Sequence, residues 1–333
     1  MNAHEFLKAG SEEETLHILV RAALLAPSSH NTQPWRFLVG PNTIELWGDA
    51  TRMLPGSDAD HRQFFISLGC ALENLIAAAE GLGLEYALSL FPHSEEALCV
   101  ARLAFKDLRA ARSGTSPAST AILARQTNRF PYETRKVPQE FLASIRALAH
   151  SGLEVHVVED PAVKNDLVRI FGDATEAAFH DKRFTSELSR WIRPSLKRYR
   201  DGMPGYNIGI PWPVSFIVPL AIRYGNVAKQ QRAMVEKPAR ATPVFIVIAT
   251  KQDDPQAWVE VGRLLERIWL RAIAEGMVMG PNAAPIQIGE FYKELQHALQ
   301  TELRPQIFAR LGYSSKRVPK SPRLLLEEVL LRG

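Results

Sequence analysis

Apolar positions recur along the chain with alternating helical and strand periods. Leu16, Leu19, Val20, Ala23 and Leu24 share one helical face, with Ser11 and Glu14 at capping-box spacing ahead of it and Pro27 stopping it. Trp35, Phe37 and Val39 then alternate as a strand, Gly40-Pro41-Asn42 reads as a turn, and Ile44 and Leu46 mark a second strand. Asp60 is the expected cap of a long apolar helix that runs to about Gly81, and strand-like stretches follow at 85–91 and 98–105. The segment 110–119, rich in Ser, Thr, Pro, Gly and Ala, reads as a linker.

Beyond the linker the pattern predicts a short helix ending near Arg125, an irregular stretch, a helix over 138–150 and a strand over 153–158. Helices over 162–178 and 181–199 follow, then a Gly- and Pro-rich loop over 200–213. The unbroken β-branched run 243–249 has the composition of a strand buried on both faces, and 257–275 is another long helix. This helix aligns with the first long one. Gly69, Leu72, Glu73 and Leu75 fall on Gly262, Leu265, Glu266 and Ile268, and the register continues with Ala79 on Ala272 and Gly83 on Gly276. Two buried helices share small and apolar positions in any case, but paired glycines at both ends with the same internal Glu favour a duplicated unit.

Composition narrows the class. The chain has 333 residues, 46% of them apolar and 23% charged, which is ordinary globular chemistry. A formal charge of +4 is too small and too diluted for a dedicated nucleic-acid or membrane-surface binder. Cys70 and Cys99, the only cysteines, are too few for a disulfide framework or a four-thiolate metal site. No apolar stretch reaches the roughly 18 residues a membrane helix needs, and no signal pattern opens the chain, so a cytoplasmic protein is expected.

Two segments carry candidate chemistry. The loop from Pro27 to Trp35 packs hydroxyls, an imidazole and two amides between a helix end and a strand, a set of hydrogen-bonding groups suited to a flat polar heterocycle. The same residue types also build ordinary turns, and composition leaves both readings open. Arg125-Gln126-Thr127-Asn128-Arg129 places two guanidiniums around a hydroxyl, a clamp for a phosphate or else a pair of solvated surface arginines. Asp58-Ala59-Asp60-His61 fits a helix cap better than a metal cluster. No G-x-S-x-G elbow, P-loop or G-x-G-x-x-G fingerprint is present.

Taken together, these segments resemble a known family. Pro27-Ser28-Ser29-His30-Asn31-Thr32-Gln33-Pro34-Trp35-Arg36-Phe37 is similar to the P-S-S-x-N-x-Q-P-W-x-F signature of the FMN-dependent nitroreductases, and Arg125 to Arg129 resembles their R-x-[ST]-x-[RK] phosphate-binding segment. The resemblance implies an α+β fold with a mixed central sheet flanked by helices, and FMN held between two subunits. Here both motifs lie in one chain, in swapped order. The expected architecture is therefore an internally duplicated pseudo-dimer with one composite FMN site, a first half at 1–110, a linker at 111–118 and a second half at 119–333. It resembles the two-domain branch that includes mycobacterial dormancy-associated flavin-sequestering proteins. Carried over by residue, Arg125, Thr127 and Arg129 would hold the phosphate, with Gln126 adding backbone contacts. Pro27, Ser28, Ser29 and Asn31 would approach the flavin from the other half, and Gln33 would contact the ribityl chain or ring. Met279, Gly280 and Pro281 resemble the family's glycine-proline turn at the ring edge, and Lys320 and Arg323 its C-terminal basic pair.

The resemblance implies hydride transfer from NAD(P)H through FMN to a nitroaromatic, quinone or similar small-molecule acceptor, with no catalytic side chain demanded and no metal. Residues 185–237 depart from the pattern. This insertion is either a lid, which would make the protein a flavin-sequestering one, or a solvated appendage. Its basic group, Arg190, Arg193, Lys197, Arg198 and Arg200, keeps an anion- or nucleic-acid-docking reading open, without aromatic interleaving to support it. Fusion of the two halves makes a monomer the expected state, with neither nucleic acid nor membrane as partner.

Overall fold

The structure, a computed structural model, describes residues 11–93, 98–112, 116–150, 152–196 and 198–332. Residues 113–115 of the expected linker and Lys197 of the basic group lie outside these. The N-terminal half is helix α1 (Glu12–Ala23), strands β1 (Trp35–Val39) and β2 (Thr43–Gly48), helix α2 (Arg62–Gly81), and strands β3 (Tyr86–Leu90) and β4 (Cys99–Phe105). After α3 (Pro117–Ala124) and α4 (Gln139–Arg146) come β5 (Leu153–Val158), α5 (Pro161–His180) and α6 (Lys182–Trp191). Two helices inside the insertion, α7 (Val218–Tyr224) and α8 (Ala228–Arg240), lead to β6 (Val244–Thr250), α9 (Pro255–Ala274) and β7 (Val278–Pro281). Helices α10 (Ala284–Gln287) and α11 (Phe291–Leu299), strand β8 (Arg304–Gly312) and helix α12 (Leu326–Val329) complete the described chain.

The fold is α+β, as expected. Its strands form two four-stranded sheets, β1-β2-β4-β3 and β5-β6-β8-β7, each antiparallel throughout. Parallel pairing enters at their edges, where Phe37 of β1 meets Leu330 and Thr127 meets Met279 of β7. The two sheets share one strand order, and in each a long helix follows the second strand along the chain and precedes the third. Strand β6 is buried at every position, as its β-branched run requires.

The long helices α2 and α9 pack against each other at the centre. A Cβ on Gly69 would stand 2.1 Å from the Val259 carbonyl oxygen, and one on Gly262 would stand 2.1 Å from that of Ile66. The contacts are reciprocal, each glycine meeting the residue three positions before its counterpart. Both helices end in left-handed glycines, Gly83 at φ +72° and Gly276 at φ +73°. The main core joins both helices to both sheets, and Trp35, Phe37 and Trp269 within it are fully buried. Helix α2 is the one described helix long and apolar enough to cross a membrane, and 83% of its apolar window is buried inside the protein.

Two expectations need correction. Asp60 does not cap α2 alone: it accepts from the first helical N–H, that of Arg62, at 3.1 Å, while Asp58 accepts from those of Gln63 and Phe64 at 3.0 and 2.9 Å. The helix expected over 181–199 ends at Trp191. Pro194 disfavours helical backbone at Arg193, and Ile192-Arg193 pairs instead with Met203-Pro204.

Candidate functional site

The chain from Pro27 to Gln33 leaves α1 in an unusual conformation. His30, Asn31 and Gln33 all adopt left-handed backbone, at φ +51°, +57° and +55°, which costs free energy in non-glycine residues unless the surroundings impose it. Those surroundings are built. Ser28 Oγ accepts from the Gln33 N–H at 2.9 Å. The Asn31 amide donates to the carbonyls of Gly202 and Pro322 at 3.0 and 3.1 Å and accepts from Arg323 at 2.8 Å. Gln33 donates to the Arg200 carbonyl and accepts from Leu324 N–H, both at 2.8 Å. Residues far along the chain thus hold the loop in place.

The arginine segment arrives from the other side. Helix α3, started by a Ser116–Ser119 capping box, ends at Arg125, and Asn128 N–H then donates to the Met279 carbonyl at 2.9 Å. The loop and this segment meet: Pro27, Ser28, Ser29 and His30 face Thr127 and Arg129 across a cavity of about 320 Å³. Ser67 and Cys70 of α2 supply its floor, Phe184 with Leu188 and Met203 of the insertion one wall, and Pro281 to Ala284 another. A smaller recess of about 30 Å³ adjoins it beneath Ser28 and Arg129, bounded by Asn31, Arg125, Gln126 and Arg323.

The electrostatics of this junction are lopsided. Arg125 is spoken for: its Nε lies 3.0 Å from Glu266, its Nη2 donates to the Leu25 carbonyl at 2.6 Å, and it stacks over Trp269. Burial pushes the Glu266 carboxyl up to about 7, even against the nearby Arg125. Arg129 is different. It is solvent-accessible and lines the cavity, and among the described residues no carboxylate pairs with it; its side chain donates to Met203 Sδ at 3.9 Å. The protein packed around it, then the charge of Arg310, lowers its pKa. Arg310 itself donates to the carbonyls of Asn128 and Phe130 and leaves Nε and Nη1 without partners. His30 stays neutral down to about pH 4, through burial and then the charge of Arg129, and its Nε2 also lacks a partner. An uncompensated cation beside buried donors that lack partners is an arrangement that an anionic ligand relieves.

The anticipated residues divide into two groups. Pro27, Ser28, Ser29, Thr127, Arg129 and Pro281 line the cavity, and Asn31, Arg125, Gln126 and Arg323 bound the recess. Others have a different task. Gln33 is fully buried with both ends of its amide engaged, so it braces the loop. Met279 is buried, Gly280 pairs with Arg310 of β8, and a Cβ on Gly280 would stand 2.3 Å from the Asn128 carbonyl oxygen; both serve the β7 crossing. Lys320 is exposed and lines neither space, whereas Arg323 donates to the Leu25 and Ala26 carbonyls and clamps the end of the α1 segment.

In sequence, the chain matches relatives along nearly its whole length. It is 26% identical over 329 residues to "Putative NAD(P)H nitroreductase Rv3131" of Mycobacterium tuberculosis, covering 96% of this chain and 92% of that one. The chain is nitroreductase-like. This nitroreductase-like chain is also 24% identical over 321 residues to "Uncharacterized protein Rv3127" of the same organism, covering 93% and 91%. No family profile matches it. Among solved structures it is similar to the FMN-dependent nitroreductase NfnB from Mycobacterium smegmatis in complex with NADPH, at 16% identity and a TM-score of 0.42, covering 65% of this chain and 98% of that one.

Sequence reasoning missed Ser67 and Phe184, which line the cavity, and Arg310, whose charge acts on Arg129. Arg310 left a signal, because a charged residue inside the apolar run from Ile307 to Leu311 needs a reason to be buried.

Proposed function

We propose that this chain is an FMN-binding oxidoreductase of nitroreductase type, folded as a pseudo-dimer of halves 1–110 and 119–333, with one cofactor site between them. The observation that carries the reading is Arg129, a solvent-accessible guanidinium without a carboxylate partner among the described residues, lining the same cavity as Ser28 and Ser29. Support for two halves comes from the shared strand order and the reciprocal glycine contacts of α2 and α9. The residues present suit the cofactor. Arg129 and Thr127 would hold its phosphate, and the hydroxyls of Ser28, Ser29 and Ser67 offer hydrogen bonds to its polar edge. Bound FMN would supply the redox chemistry, taking hydride from NAD(P)H and passing it to a nitroaromatic, quinone or similar acceptor. The chain's own residues orient the ligand, neutralise its charge and exclude water. His30, neutral at physiological pH, can donate or accept a hydrogen bond without adding charge to the site. A cytoplasmic monomer fits this reading.

One observation favours flavin sequestration as a second reading. The insertion is tied onto the loop through Gly202, Arg200 and an Arg52–Asp201 pair at 3.4 Å. The cavity beneath it is near the lower end of the usual ligand-pocket range, room for one ligand body and not for a stacked pair.

Purified protein mixed with FMN is expected to carry one flavin per chain, read from its visible absorbance. Anaerobic NADPH then separates the readings: bleaching supports the oxidoreductase, and persistent colour supports sequestration. A colourless protein that takes up no FMN would end both.

A further inference from the structure

Seven of the nine large apolar side chains exposed among the described residues lie between Trp212 and Met234 of the insertion. Trp212, Phe216, Ile217, Leu220, Tyr224 and Met234 are 45–70% exposed. They form an organised surface. The Trp212 and Phe216 rings meet edge-on at 5.7 Å, and α7 is anchored from behind by Ile222 and Val218, which pack on Leu188 and Ile192. With its inward face satisfied, the helix still turns Leu220 and Tyr224 to solvent, and a concentrated apolar patch of this kind marks an interaction site.

Charge identifies the partner. Residues 185–237 hold nine basic and three acidic side chains, so this segment carries +6 while the rest of the chain sums to −2. Arg190, Arg198, Arg223 and Lys229 are exposed and pair with no carboxylate among the described residues. Aromatic and aliphatic side chains beside unpaired cations suit an anionic bilayer surface, where the apolar groups enter the interfacial zone and the cations meet headgroup phosphates. A second copy suits it poorly, since a two-fold contact across this face would bring +6 against +6. We propose that the insertion docks this protein onto an anionic lipid surface, contrary to the sequence expectation of no membrane partner. The inner side of the same insertion forms the cavity wall: Val235 lines the cavity while its neighbour Met234 faces out. Docking would therefore set a lipid surface one helix away from the site, whichever ligand the site holds.

The test is sedimentation of the full chain with vesicles of phosphatidylcholine alone or with about a third phosphatidylserine. Binding to the anionic vesicles is expected to exceed binding to neutral ones by roughly tenfold and to weaken in high salt. The exposed double variant Ile217→Ser/Leu220→Ser, with an unchanged thermal transition, is expected to lose most of that binding. Arg223→Gln/Lys229→Gln should lower it and flatten its salt dependence. Failure of the wild-type chain to prefer anionic vesicles overturns the proposal without reference to any variant. So does full binding by a folded Ile217→Ser/Leu220→Ser protein, or a dimer in analytical ultracentrifugation that this variant dissolves in the absence of vesicle binding.

Discussion

Helices α2 and α9 cross at matched glycines but carry different flanks. Glu73 and Glu266 occupy the same position in the two helices. Glu73, also buried, takes Arg267 at 2.7 Å and Arg263 at 3.3 Å, both part-exposed, whereas Glu266 is wholly buried together with its partner Arg125. Gln63 and Ser67 of α2 line the cavity shared with Thr127 and Arg129, and their counterparts Gln256 and Glu260 line a separate groove beside His150 and Gly152. The crossing fixes the packing positions because no side chain fits there. The flanks are free to differ, and the chemistry has collected on one side.

The largest break in this comparison is expected from Arg125→Met. At pH 8, where Glu266 is ionised, the variant leaves a buried carboxylate uncompensated and should lose about 3–5 kcal/mol in denaturant unfolding. The double variant with Glu266→Gln should recover much of that loss. Next, Glu266→Gln alone should change the pH profile. An acid whose pKa rises on folding, here from 4.5 to about 7, contributes stability that is fully present below about pH 4.5 and is lost as pH climbs through 7. The advantage of the Gln variant over wild type should therefore grow across that window, by about 1 kcal/mol per pH unit. Arg129→Gln is expected to weaken FMN, measured by fluorescence titration, by about 1.5–3 kcal/mol, while Lys320→Gln leaves it unchanged. Gly262→Ala and Gly69→Ala should each cost about 1–3 kcal/mol, equally within error, because each Cβ meets backbone and not a movable side chain. Glu73→Gln, at the counterpart position, should cost about 1–2 kcal/mol, less than Arg125→Met, because its arginine partners can still reach water.

Much of the scaffold was legible because its signals are local. The Ser11 cap, the turn after Val39, the β-branched run of β6 and the glycines ending α2 and α9 each act within a few residues. The meeting of Ser28 with Thr127 and Arg129 was legible only through the family signature, since no local rule joins segments a hundred residues apart. That Gln33 and Arg323 also brace the loop was illegible for the same reason: the partners concerned are 167 or more residues away, and side chains of that chemistry serve a ligand or a loop equally well. The insertion hid α7 and α8 behind prolines. Pro219 sits in the first turn of α7, where proline is tolerated, and Pro238 in the last turns of α8, so neither breaks the helix it seemed to forbid.

The bracing of the strained loop has a temporal cost. Gln33 and the Leu324 N–H that holds it are separated by 291 residues. At ribosomal speeds of about 5–20 residues per second, the loop would wait roughly 15–60 s between its own synthesis and the arrival of its last anchor. Until then its left-handed backbone is held only by Ser28 and, once they are made, Arg200 and Gly202, so the pocket is among the last parts of a nascent molecule to take its full shape.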